Sequence, residues 1–201
     1  LYHETGHIEV TNIRCFNEAA NESPLIRNLL NVFEDIRMEA WRNQRYAGSG
    51  GVLAMTAALV AADAGFGKAE DVKKADPAET LCTALITGLR STEIGQPVEA
   101  IARLWRERLL EVFGKAVVMK LDALCTGAAT LVETAQALRL ARKVAAMIEE
   151  EAAASKGTSG TGSDPNDAPS DADEGSDHGE PAEGSKDAGE AEGDAPGDQS
   201  G

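Results

Sequence analysis

The sequence predicts an all-α fold, a multi-helix, bundle-like domain followed by a disordered acidic tail. Three observations carry that expectation. Apolar residues recur three and four apart in one stretch after another up to about residue 150. Helix-start signals stand before two of these stretches, Ser23-Pro24 and Asp76-Pro77, each a capping residue followed by proline. β-Branched alternation is confined to Ile8, Val10 and Ile13 and to the Val117-Val118 pair, too little to build a sheet.

In chain order, Leu1 to Glu9 reads as the end of a first helix, and Thr11 to Asn21 as a polar connector. Ser23 caps a long helix that places Leu25, Leu29, Val32, Phe33 and Ile36 at helical spacing and runs to about Tyr46, with Gly48 ending it. Val52 to Ala62, rich in alanine and free of charge, reads as a buried helix. A polar break from Asp63 to Lys74 follows. Asp76-Pro77 opens the helix of Leu81, Leu85, Ile86 and Leu89, and Pro97 opens the next, which Gly114 closes. Val117 to Leu124 and Leu131 to Ile148 complete a set of about seven helices. Trp41, Trp105 and Phe113 are expected in the core, and Gly48 to Gly51 reads as a helix–helix turn, since no Lys-Ser or Lys-Thr follows it to make a phosphate loop.

Composition divides the chain at about residue 152, into a helical domain (1–152) and a tail (153–201). From Ser155 onward there are 13 acids and 2 lysines, a balance of −11 within the total of −15. That stretch also holds ten of the twenty glycines and no Val, Leu, Ile, Met or aromatic residue. Such a segment cannot bury enough apolar surface to offset its conformational entropy. The remaining 154 residues are mildly acidic and make a single domain. Net negative charge without a basic cluster argues against nucleic acid, and no apolar run reaches membrane-spanning length. Three widely spaced cysteines, Cys15, Cys82 and Cys125, with no C-x-x-C pair, suggest reduced thiols and a cytoplasmic setting. A first residue other than Met, two positions before a functional motif, suggests a fragment lacking an upstream segment.

That motif is His3-Glu4-Thr5-Gly6-His7, an H-E-x-x-H string. Histidines four apart on a helix share one face, so both imidazoles can meet a single Zn²⁺ ion, and the glutamate between them is placed to take a proton from a water at that ion. Glu4 is therefore the candidate catalytic base, and His3 and His7 the candidate metal ligands. Gly6 weakens the helix, and Glu9 puts a charge where peptidases with this string carry an apolar residue.

A catalytic zinc site takes a third protein ligand. His178 lies deep in the tail, and Cys15 follows an irregular segment. The helix after Pro24 offers Glu34, Asp35 and Glu39. Glu34 is the first choice. Asp35 is the alternative ligand, or with Glu39 the group that fixes a histidine tautomer, and Arg37 would balance the charge. The competing reading of this acidic run is an exposed, ion-paired helix face.

The strings HETGHIEVTN and NLLNVFEDIRMEAWRNQRYAGSGGVLA resemble the N-terminal helical region of the cobaltochelatase CobT-like family, many of whose members carry a von Willebrand factor A domain. The matching positions are His3, Glu4, His7 and Thr11, then Asn31, Glu34, Asp35, Arg37 and Glu39, then Ala47-Gly48. The likeness is specific over residues 1 to 55 and general beyond. In the family an acidic linker leads to the von Willebrand A domain. The tail fits the linker, but no D-x-S-x-S string is present, so that domain is absent from this chain. The resemblance implies a MoxR-type AAA+ ATPase as partner, in an assembly like the one that inserts cobalt into a corrin ring for cobalamin biosynthesis. Two functions follow as expectations: a zinc-dependent, metallopeptidase-like domain, or a non-catalytic adaptor of a chelatase-like complex.

Overall fold

The computed structural model describes residues 2–158, with side chains to residue 155. The expected disordered tail lies, but for its first residues, outside the described residues. Among these, helices are the only regular elements: α1 (Tyr2–Val10), α2 (Ile13–Glu22), α3 (Pro24–Arg45), α4 (Ser49–Ala62), α5 (Ala69–Val72), α6 (Pro77–Thr92), α7 (Glu99–Cys125) and α8 (Thr134–Thr158), with a 3-10 turn at Ala128–Thr130.

The start signals act as expected. Ser23 Oγ accepts from Ile26 N, and Asp76 Oδ1 accepts from Glu79 N, each with proline as the first helical residue. Helix α3 is the hub. It packs against α1, α2, α4, α6 and α8, and its Leu29, Leu30, Phe33, Ile36 and Met38 are sealed from solvent. Such burial on several faces explains why α3 holds position while its neighbours present single apolar stripes.

Four expectations need correction. Thr11 to Asn21 is no connector: α2 starts on an Asn12 cap and turns Cys15 and Ala19 inward, its polar residues outward. Helix α4 is not buried; only Ser49, Leu53 and Ala57 face the protein, and Val52, Met55, Leu59 and Val60 are exposed. Trp41 stays half-buried, edge-on to Tyr46 at 5.9 Å, whereas Trp105 is a core residue whose Nε1 donates to Phe66 O at 2.7 Å. The last helix does not end at Ile148 but continues to Thr158.

Gly114 does break the run it closes, at φ 76 and ψ 161, but helix resumes at once on its far side. Arg106 and Asp122 form a two-pronged ion pair across this break. In an unbroken helix residues that far apart would be separated by about 24 Å. The two arms of α7 are therefore folded sharply toward each other.

Candidate metal centre

Helix α1 lies on the C-terminal half of α3 with its two faces engaged differently. Gly6 sits directly on Met38 and Arg42. Arg42 grips the same face: its guanidinium lies 4.2 Å from the Tyr2 ring centroid and donates to Thr5 Oγ1 at 3.1 Å. The other face carries His3 and His7 toward Asp35 and Glu39, which are themselves one turn apart on α3.

Three donor atoms converge there. His3 Nε2 and His7 Nε2 are 3.1 Å apart, and Asp35 Oδ1 is 3.2 Å from His7 Nε2 and 3.6 Å from His3 Nε2. Tetrahedral zinc with bonds of about 2.0–2.2 Å sets its ligand atoms about 3.3–3.6 Å from one another. Among the described residues these are the side chains whose donors cluster closely enough to hold an ion.

The surrounding hydrogen bonds set the protonation of both rings. Glu39 Oε1 lies 2.9 Å from His3 Nδ1, and a carboxylate only accepts, so Nδ1 carries the proton. Thr11 Oγ1 spends its single proton on Glu34 Oε1 at 2.7 Å and therefore accepts from His7 Nδ1 at 2.9 Å. In the neutral rings both Nε2 atoms are then lone-pair donors facing Asp35 Oδ1. Three acceptors this close repel one another unless a metal ion or a proton lies between them. The Glu39 hydrogen bond, with the nearby Asp35 charge, raises the His3 imidazole above its ordinary 6.5 against the opposing effect of burial. Burial works to raise the Glu39 carboxyl, but the His3 hydrogen bond, Arg90 and Gln96 outweigh it and hold the group below its ordinary range.

Glu34, the first-choice ligand from sequence, is not part of the cluster. Its carboxylate is fully buried and points away, held by Arg37 through Nε at 2.8 Å and Nη2 at 2.6 Å, by Thr11, and by Thr134 Oγ1 at 3.0 Å. The physical reason is rotation: one residue step on a helix turns a side chain by about 100°. Asp35, the alternative, is the acid that faces the two imidazoles, and Glu34 acts at one remove, fixing Thr11 and through it His7. Arg37 does neutralise this acid, and also donates to the carbonyls of Val10 and Val132. Cys15 is buried, its thiol pushed up chiefly by burial, and stands outside the cluster. His178 lies outside the described residues.

Glu4 is exposed on the wall of the same cleft, with no hydrogen bond or ion pair among the described residues. The cleft, about 330 Å³, is lined by His3, Glu4, His7, Asp35, Asn31 and Phe16 with two further residues. Sequence reasoning passed over Arg90 and Gln96. Arg90 contacts Glu39 and Asp35, and Gln96 contacts Glu39 and Arg90. The one local signal was a cation on α6, where its neighbours Leu85, Leu89 and Thr87 are core residues.

In comparisons with known proteins, no family model, curated protein or solved structure matches the chain. No helix among the described residues is long and apolar enough to cross a membrane.

Proposed function

We propose that this chain is a zinc-dependent hydrolase of the metallopeptidase kind, with zinc held by His3, His7 and Asp35. The observation that carries this reading is the convergence of three lone-pair donors whose tautomers are fixed from behind by Glu39 and by Thr11–Glu34. A two-histidine, one-carboxylate set with an open cleft beside it is the donor chemistry of catalytic rather than structural zinc. When bound, zinc polarises a substrate carbonyl and brings a water's pKa toward neutrality. Glu4 Oε would be the group that takes a proton from a water in the cleft and passes it to the leaving amine. Glu39 and Thr11 keep the imidazole rings oriented, and Asn31, on the cleft wall one turn before Asp35, is positioned to donate to a substrate carbonyl.

The test is metal content and peptide hydrolysis of the purified chain beside H3A and E4Q. The wild type holds one zinc per chain, H3A loses it, and E4Q keeps it while losing hydrolysis. A wild type without stoichiometric zinc removes the proposal.

A second reading, the CobT-like adaptor, is favoured by α4. That helix has no charged residue, and Met55 and Leu59 are each 61% exposed on it, a surface suited to a protein partner. In this reading a MoxR-type AAA+ ATPase is the partner and the zinc site is structural. Co-purification with such an ATPase, undiminished in E4Q, supports it.

A further inference from the structure

Arg90 reaches the centre from α6, a helix that carries none of the metal motif. Its guanidinium is divided between two carboxylates of α3. Nη2 lies 3.4 Å from Asp35 Oδ2, and Nη1 donates to Glu39 Oε2 at 2.9 Å and to Gln96 Oε1 at 2.8 Å. Asp35 thus turns one oxygen to Arg90 and the other to the two imidazoles. Gln96 is buried, donates its amide to Glu39, and sends its backbone N–H to the Arg90 carbonyl at 2.8 Å. The guanidinium is therefore fixed both by a side chain and by the loop that follows its own helix. Its Nε, in contrast, is buried with no hydrogen-bond partner among the described residues. A buried cation retained with an unsatisfied N–H is poorly explained by stability alone.

We infer that Arg90, locked by Gln96, is a positioning residue of the centre: by occupying Asp35 Oδ2 it makes Asp35 a ligand through Oδ1 only. This rests on the zinc reading above. Carboxylates grip metal ions with one oxygen or with two. A two-oxygen grip would fill the position that a catalytic site keeps for water. The planar fork of arginine can serve Asp35, Glu39 and Gln96 together, which a lysine ammonium, a single point charge, cannot.

Cobalt(II) replacing zinc provides the test, because its visible absorption weakens as coordination rises from four to five or six. The wild-type chain shows the strong four-coordinate band. R90Q takes up cobalt in the same stoichiometry with a band several-fold weaker, and R90K does not restore it. Since R90Q leaves Glu39 buried without its cation, the double variant R90Q/E39Q is measured beside it. That pair removes the charge imbalance while still freeing Asp35 Oδ2, and its band is weak too. Circular dichroism reports the fold of each. A folded R90Q, R90K or R90Q/E39Q with wild-type band intensity overturns the inference. Loss of fold in both R90Q and R90Q/E39Q also overturns it, because Arg90 would then be a structural ion-pair partner. A wild type that binds neither zinc nor cobalt is a different result: it sinks the zinc reading itself and takes the inference with it.

Discussion

Gly6 of α1 lies so close to Met38 of α3 that a Cβ on the glycine would stand 2.2 Å from Met38 Sδ and 2.8 Å from Arg42 Cδ. Met38 is fully buried. A helix-weakening residue in the middle of the motif is thus what lets two helices approach until their side chains share a site. In G6A, helix propensity gains about 1 kcal/mol while overpacking costs about 1–3 kcal/mol, a net loss of about 0–2 kcal/mol. Zinc affinity, read by chelator competition, falls about tenfold or more, because the imidazoles are displaced from Asp35. Wild-type affinity in G6A would show that α1 accommodates the methyl without moving.

Glu34 and Asp35 are neighbours with separable roles. E34Q leaves Arg37 buried without its counter-charge, and stability in urea drops by about 3–5 kcal/mol. D35N loses less than half as much stability, since Arg90 keeps Glu39, but its zinc affinity falls about 100-fold or more. Urea melts paired with metal titrations separate the two outcomes. A D35N chain with unchanged affinity would refute the assignment of the third ligand.

Gly114 tests the bend in α7. A Cβ there would meet nothing within 4 Å, so crowding is not involved, but φ 76 with ψ 161 is backbone that L side chains rarely adopt. G114A should cost about 1–3 kcal/mol, and each kcal/mol lowers the melting midpoint by about 2–4 °C at this chain length. Gly88, equally open but inside α6, is the control. There G88A should stabilise by about 0.5–1 kcal/mol. Equal effects of the two substitutions in calorimetry would mean that α7 is not bent at Gly114.

Burial pushes the thiols of Cys82 to about 11 and Cys125 to about 12, from an ordinary 9.0. Between pH 9 and 11 the unfolded chain has lost these protons and the folded chain has not. The unfolded state then binds fewer protons, so stability falls as pH rises, by about 1.4 kcal/mol per pH unit for each thiol. The loss for Cys82 stops near pH 11. Denaturation at pH 8 and pH 10.5 checks the slope against the C82S/C125S pair, in which it flattens. At pH 8 both thiols resist iodoacetamide until urea is added.

Much of the scaffold was readable because its signals are local. Ser23-Pro24 and Asp76-Pro77 mark helix starts through groups within four residues of the cap, and H-E-x-x-H places two imidazoles on one face whatever lies around them. Rotation and partners are non-local, and here sequence reasoning failed. Glu34 and Asp35 are equivalent on paper until α1 settles on one side of α3. Helix α2 looked like a connector because its inward face is only Cys15, Phe16 and Ala19, small or single residues among polar ones. Helix α4 looked buried because absence of charge suggests a core. Its exposed Met55 and Leu59 instead record a surface. Arg90 and Gln96 lie more than fifty positions from the carboxylates that they hold, with no spacing rule to link them.

The hydrogen-bond relay behind His7 ends at Thr134, which binds both Glu34 and the backbone N–H of Asn12. That residue leaves the ribosome one hundred positions after Glu34. A nascent chain therefore presents its histidines early and with an unfinished support behind them. The support behind His7 is complete only once α8 has been synthesised and has docked, and truncation before Thr134 leaves Glu34 and the Asn12 N–H without this hydroxyl.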